Sequence, residues 1–134
     1  MPIIISELKF LAEKWVAYWH THPDSQEREA LSWVSDREWD LVNYEPLIAW
    51  AMILEILKLD SSGNIQEVLS AGPLESLLAK HGPLVIEMVE NEAKQNPQFA
   101  QLLGGAWRNS MTTEVWTRVQ AVWDRRGWDG NPPA

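Results

Sequence analysis

The residues best suited to metal binding are the histidines near the end of the first predicted helix. The stretch "HTHPD" at 20–24 combines two imidazoles and a carboxylate, all of which can be metal ligands. Two histidines two residues apart at a helix end rarely bind the same ion. No third potential ligand lies at a sequence spacing that is typical of a metal site. We therefore expect surface histidines in this stretch and no metal site.

A second group of polar residues lies out of pattern on predicted apolar helix faces. On a helical wheel His81 falls within the apolar stripe of 73–81, and Glu92 falls within that of the following helix. A buried carboxylate must find a partner or become neutral, because its desolvation is costly. We predict an internal polar cluster that either fixes helix packing or lines a ligand pocket; the alternative is that these groups are exposed. Its members are Glu75, His81, Glu92 and Arg108.

The stretch "LLGGAWRNS" at 102–110 is a candidate interface. The pair Gly104–Gly105 permits a sharp bend or the close approach of another backbone. Trp107 and Arg108 are residue types that anchor protein interfaces. A helix end followed by a core tryptophan explains the same residues, and we favour that interpretation; an interface is the alternative.

Motifs of known catalytic chemistry are missing from the sequence. It contains no nucleophile elbow, no zinc-binding His-Glu-x-x-His and no phosphate-binding loop. Carboxylate pairs such as Glu87 and Glu90 fall on a helix face that we expect to be solvated. We assign no catalytic residue and expect no cofactor, and an enzyme is the less favoured class.

The elements that must position these residues are predicted to be helices. No segment alternates strictly between apolar and polar residues, whereas helical stripes recur along the chain. The helix that Pro46 opens is apolar nearly all round, which places it at the centre of the fold. We predict an all-α protein, an irregular bundle or short α-solenoid-like array of about eight short helices around that central apolar helix. A single domain is expected over 1–127, followed by a loose tail at 128–134.

Several helix ends can be predicted from local signals. Asp24 with Glu27, and Ser35 with Glu38, match the capping box that begins a helix. Thr112 or Thr113 is suited to cap the last helix. The pairs Gly72–Pro73 and Gly82–Pro83 predict two junctions between three consecutive short helices, with Gly72 in the left-handed conformation.

Composition limits the class of protein. A chain of 134 residues without cysteine fits one domain with no disulfide framework, and its net charge of −8 argues against a nucleic-acid binder. The longest apolar segment, 46–59, suits a buried helix better than a membrane span. Nine tryptophans are present, and we expect several of them to be large core fillers; the alternative is that one or two are exposed as anchors for a partner.

Three blocks of sequence resemble a bacterial family of domains of unknown function, the one numbered 6869. They are "LSAGPLESLLAKHG", "PQFAQLLGGAWRN" and "VWTRVQ", within a match over about 39–123. The approach "NYEPLIAW" departs from the family, which tends to place the proline before the glutamate. The resemblance implies a bacterial helical domain, and it brings no activity and no catalytic residues.

These observations favour a small acidic helical domain of the bacterial cytoplasm that binds another protein. An inhibitor or immunity-type protein would be one form of this function. The alternative is an enzyme or small-ligand binder that uses a polar pocket around His81, Glu92 and Arg108. The partner and the oligomeric state do not follow from the sequence.

Overall fold

The computed structural model describes residues 5–126 and 128, and this part of the chain is helical without strands. It contains eight α-helices and one π-helical turn in an irregular arrangement, which confirms the predicted all-α class. The elements are α1 Ile5–His20, α2 Gln26–Ala30, α3 Trp33–Tyr44, α4 Pro46–Leu59, α5 Gly63–Leu69, the π-helical turn Ser70–Leu74, α6 Glu75–Gln95, α7 Pro97–Leu103 and α8 Thr113–Val122.

Helix α4 is central, as its apolar sequence predicts. Pro46 occupies its first turn, where the missing proline N–H costs no hydrogen bond. The helix packs against α1, α3, α6 and the π-helical turn, so that it has neighbours on several sides. Its buried side chains form the middle of the hydrophobic core: Ala49, Trp50, Met52, Ile53, Ile56 and Leu57.

The two capping boxes predicted between α1 and α3 are wrong. Helix α2 is capped by Ser25, whose hydroxyl accepts a hydrogen bond from the Arg28 N–H, and not by Asp24. Helix α3 begins at Trp33, so Ser35 lies inside its first turn. Adjacent serine and aspartate residues offer alternative caps, and the packing of Val34 in the core selects the earlier start of α3.

The first glycine–proline pair does not end a helix. Gly72 and Pro73 lie in the π-helical turn, which passes directly from α5 into α6. Pro73 has no N–H to donate, and in a regular α-helix its ring would collide with the carbonyl of Leu69. The wider π turn accommodates the proline within a continuous helical path. The predicted left-handed conformation of Gly72 is therefore wrong, since its φ lies outside the left-handed region.

The second glycine–proline pair follows a kink that divides α6 into two helical segments, which confirms the predicted junction. His81, with φ −133° and ψ 25°, departs from helical geometry just before Gly82 and Pro83. Pro83 cannot donate the hydrogen bond of a regular helix, which accounts for the kink. Gly82 lies against α8, because a Cβ atom there would approach Val115 Cγ2 to 2.8 Å. The kink is therefore packed on α8.

The C-terminal part is fixed by caps and close backbone packing. Asn96 caps α7 and Thr112 caps α8, the latter as predicted. A Cβ atom on Gly104 would lie 2.0 Å from the Asp124 carbonyl oxygen, which confirms the predicted close approach of another backbone. Trp128 Nε1 donates to the Gln101 carbonyl at 2.6 Å. The rest of the predicted tail, 129–134, lies outside the described residues, and the domain boundary stays a prediction.

The nine tryptophans are divided among core, half-buried and exposed positions. Trp15 and Trp50 are buried, in agreement with the expected role as core fillers. Three half-buried tryptophans pack at the margins of the core: Trp19, Trp116 and Trp123. Trp128 is also half-buried. The exposed ones are Trp33, Trp39 and Trp107.

None of the helices in the part of the chain that the structure describes combines the length and apolar character needed to cross a membrane.

Candidate functional site

The predicted polar cluster is not formed as one unit. Glu75 joins the start of α6 to the turn after α7: its carboxylate accepts hydrogen bonds from the Trp107 N–H at 2.9 Å and from Asn109 Nδ2 at 3.2 Å. Asn109 has a φ of 50°, a left-handed conformation that asparagine tolerates. Glu75 therefore ties the two predicted segments together, through partners other than those expected.

The other three members of the predicted cluster make separate contacts. Glu92 accepts a hydrogen bond from Asn96 Nδ2 at 2.9 Å, and Arg108 donates to Thr113 Oγ1 at 2.9 Å. The Nε2 atom of His81 is buried without a hydrogen-bond partner among the described residues. All four members are described, and none of them forms a hydrogen bond or an ion pair within 4.0 Å with another member.

The two carboxylates of the predicted cluster lie on different segments of α6. Glu75 begins the first segment and Glu92 lies near the end of the second, on opposite sides of the kink at His81. Their separation of 17 residues corresponds to about 25 Å along a straight helix. Each carboxylate has its own hydrogen-bond partners, and they share none of them.

The predicted interface pair, Trp107 and Arg108, lies in the turn between α7 and α8. Trp107 is 72% exposed, so the favoured interpretation, a core tryptophan, is wrong. Its neighbour Ala106 is buried instead. Arg108 is also exposed. Both side chains are accessible to a partner, and their role at an interface stays a prediction.

The "HTHPD" segment makes local contacts. His20 Nε2 lies 2.6 Å from Asp60 Oδ2, and this contact links the end of α1 to the residue after α4. His22 Nδ1 accepts a hydrogen bond from the Asp24 N–H. Across the described ranges, no three His, Cys, Asp or Glu side chains converge as metal ligands.

A cleft between α3 and α6 contains a carboxylate that the sequence interpretation assigned to a helix cap. Glu38 is half-buried, and its Oε1 accepts a hydrogen bond from Trp15 Nε1 at 2.6 Å. Burial raises the pKa of Glu38, and the indole hydrogen bond opposes this effect. We call this space of about 140 Å³ the α3–α6 cleft; its lining residues are Glu38, Trp39, Val42, Asn43, Ser76 and Lys80.

An apolar groove lies beside this cleft, at the corner where α3 meets α4. It has a volume of about 380 Å³, and we call it the α4–α6 groove; it is lined by Glu45, Pro46, Leu47, Ile48 and Leu84. Tyr44 precedes it in the chain and contacts the Trp39 ring edge-on, with centroids 5.8 Å apart. Lys80 of the cleft and Leu84 of the groove lie on opposite sides of the kink in α6. We call the cleft, the groove and Tyr44 together the binding face.

The binding face could not be found from a single helical pattern. Its exposed apolar side chains belong to α3, α4 and α6, so they become neighbours only when these helices pack. They are Trp39, Tyr44, Leu47 and Leu84. The sequence signal that could have drawn attention to it is the run "NYEPL", in which an aromatic and an aliphatic residue flank a helix junction.

Glu38 should give the protein a distinctive dependence of stability on pH. Because its pKa is raised in the folded state, its proton is lost on unfolding between the ordinary value of 4.5 and the folded pKa. We therefore expect its contribution to the free energy of unfolding to decrease as pH rises through that window. Glu38→Gln should abolish this decrease while keeping a side-chain acceptor for Trp15. Urea unfolding over a pH series measures the effect.

Asp60→Asn provides a control, because the expected dependence of stability on pH has the opposite sign for Asp60. The hydrogen bond with His20 lowers the pKa of Asp60, so its contribution is present above the ordinary value of 3.8 and is lost as pH falls through the folded pKa. The difference in stability between wild type and Asp60→Asn should therefore decrease toward acid pH. Equal pH profiles for wild type and Glu38→Gln would contradict the assignment of Glu38.

The sequence was also compared with known proteins. A family described as a family of unknown function, DUF6869, matches residues 21–127, which is most of the chain. The chain belongs to the DUF6869 family. The DUF6869 match includes α3, α4 and α6, so the whole binding face lies within the family region. A search of curated proteins and a search of solved structures found no match.

Proposed function

We propose that this chain is a small acidic protein-interaction domain of the bacterial cytoplasm, which binds another protein through the binding face. The observation that carries the proposal is the exposed apolar surface where α3, α4 and α6 meet. Contiguous apolar surface is costly to leave in water, and on a folded domain it marks an interaction site. Family membership adds no activity to this argument.

The chemistry of the binding face suits protein recognition. Trp39 and Tyr44 are aromatic residues of the kind that contribute most to binding energy at protein interfaces. Leu47 and Leu84 contribute aliphatic walls to the groove, whose lining is almost entirely apolar. With a net charge of −8, the domain repels nucleic acid, so a protein is the partner that fits this surface.

An inhibitor or immunity-type role would be one form of this function. A compact acidic domain can cover a basic surface on a target, and electrostatic attraction would speed their association. Trp107 and Arg108, on the turn that Glu75 holds, would be a second contact of such a complex. The alternative function, a catalytic or ligand pocket around His81, Glu92 and Arg108, has less support because these side chains lie apart.

Capture of a partner from a lysate of the source bacterium tests the proposal when matched variants are compared. We expect Leu84→Asp to reduce capture of the partner more than tenfold, because a charge would replace an apolar wall of the groove. Leu59→Asp is the control, since Leu59 is similarly exposed, at 48% against 57%, and lies at the far end of α4. Quantitative mass spectrometry of the retained proteins provides the measurement.

The pattern across the variants decides the outcome. A protein retained by wild type and by Leu59→Asp, but not by Leu84→Asp, would support docking on the binding face. Equal retention by Leu84→Asp and wild type would exclude this face as the docking surface. Circular dichroism of each variant ensures that loss of capture is not loss of fold.

A further inference from the structure

We infer that the α3–α6 cleft receives a lysine or arginine side chain of the partner, while an apolar side chain of the same partner segment occupies the α4–α6 groove. The occupant is thus an amphipathic, positively charged segment of another protein. This inference rests on the proposed function and specifies the chemistry of the partner.

The first argument is that one oxygen of the Glu38 carboxylate has no hydrogen-bond partner among the described residues. Oε1 is occupied by Trp15 Nε1, whereas Oε2 forms no hydrogen bond with any described residue. No Lys, Arg or His side chain among the described residues lies within 4.0 Å of Glu38 as an ion-pair partner. A guanidinium or ammonium group at Oε2 would form a charge-assisted hydrogen bond and would offset the cost of burying the charge.

The second argument is the set of acceptors around Glu38. Asn43 donates through Nδ2 to the Trp39 carbonyl at 2.8 Å, which leaves its Oδ1 as an acceptor. The Ser76 hydroxyl lines the same cleft and adds another acceptor. Ammonium carries three donors and guanidinium five, so several acceptors around one carboxylate match a basic side chain. The exposed Trp39 ring can additionally attract a cation over its face.

The third argument is the position of the cleft relative to the groove. Asn43 in the cleft and Glu45 in the groove are separated in sequence by Tyr44 alone. Lys80 in the cleft and Leu84 in the groove are likewise close in sequence, on opposite sides of the kink in α6. A partner helix presents side chains on one face from residues three or four positions apart. One amphipathic segment can therefore fill both spaces.

The fourth argument is charge complementarity. The domain carries 19 acidic and 11 basic residues, so its field attracts a basic partner and repels a second copy of itself. Lys80 opposes this attraction locally, because its exposed ammonium group lines the same cleft. Removing the Lys80 charge should therefore strengthen binding of a basic segment, whereas it would weaken binding of an acidic one.

Selection of short random peptides displayed on phage, with the full chain as the target, tests the inference. We expect enriched peptides to share an apolar residue and a Lys or Arg three or four positions apart. For such a peptide, titration calorimetry should show affinity reduced about tenfold or more by Glu38→Gln, since the cation loses its charged partner. Lys80→Gln should increase affinity about threefold, on the scale of one screened surface charge.

Two controls separate the contributions. Glu13→Gln removes an exposed carboxylate from α1, away from the cleft, and should leave affinity unchanged. Leu84→Asp removes the groove and should abolish binding. Circular dichroism and the unfolding midpoint verify that Glu38→Gln is folded, and Lys80→Gln tests the charge requirement independently of any change in Glu38.

The results distinguish this inference from the proposed function. If Leu84→Asp abolishes binding but Glu38→Gln and Lys80→Gln leave it unchanged, docking on the binding face stands and a basic partner is wrong. Enriched peptides without a basic residue would also overturn the inference. If no enriched peptide depends on Leu84, or if sedimentation shows a dimer that Leu84→Asp dissociates, both are contradicted.

Discussion

Replacing Trp15 with alanine is expected to lower the free energy of unfolding by about 3–5 kcal/mol, the range for truncating a large buried aromatic side chain. Trp15 is fully buried and packs against Trp19, with ring centroids 6.0 Å apart. It also holds the Glu38 carboxylate in the α3–α6 cleft. The variant would lose core packing and leave a half-buried carboxylate without its donor. Urea unfolding followed by circular dichroism measures the loss.

Trp107→Ala is the matched control for this substitution. The same change at a 72% exposed tryptophan should alter the free energy of unfolding by less than about 0.5 kcal/mol. Trp15→Phe should be intermediate between wild type and Trp15→Ala, because it keeps an aromatic ring but removes the indole N–H. If Trp15→Ala and Trp107→Ala were equally stable, the assignment of Trp15 to the core would be wrong.

Gly104→Ala is expected to destabilise the protein by about 1–3 kcal/mol, the range for overpacking a well-packed site. The φ of Gly104 is −59°, which any residue can adopt, so glycine is needed here for space. The added Cβ would meet the backbone oxygen of Asp124, which cannot rotate away as a flexible side chain could. The value should lie near the upper end of the range. The midpoint of thermal unfolding and the fluorescence of Trp128 provide two measurements.

Gly63→Ala is the control for added volume. No atom lies within 4 Å of the Cβ position at Gly63, which is the first residue of α5. The substitution should be neutral or stabilise the protein by up to about 1 kcal/mol, because alanine loses less backbone entropy on folding. Equal stabilities of Gly104→Ala and Gly63→Ala would mean that the segment around Asp124 does not pack closely on α7.

The sequence predicts the helical class well because the signals that begin helices are local. Pro46 and Pro97 open α4 and α7, and Thr112 caps α8. The apolar residues around nearly the whole circumference of α4 correctly indicate that this helix lies at the centre of the fold. The two glycine–proline pairs look alike in the sequence but have different effects in the fold. Gly82–Pro83 follows a kink that divides α6, as predicted, whereas at Pro73 a wider turn keeps the helical path continuous.

The candidate site is harder to predict because it is assembled from three helices. Glu38 matches a capping box in the sequence, and only the earlier start of α3 places it in a cleft. Glu92 falls on the apolar side of a helical wheel, yet Asn96, one turn later, satisfies its carboxylate. A wheel identifies a face of one helix, whereas a partner on another helix depends on the angle at which the helices cross.

The bend in α6 has a consequence for how partner choice could change in this family. Leu84 forms one wall of the α4–α6 groove, and its placement follows from a bend whose other side is packed on Val115. A bulkier residue at 82 or 115 would push α6 and α8 apart and shift Leu84, although neither position lines the groove. If a partner docks on the binding face, its recognition would therefore change between homologues with identical groove residues, through substitutions at these two packed positions.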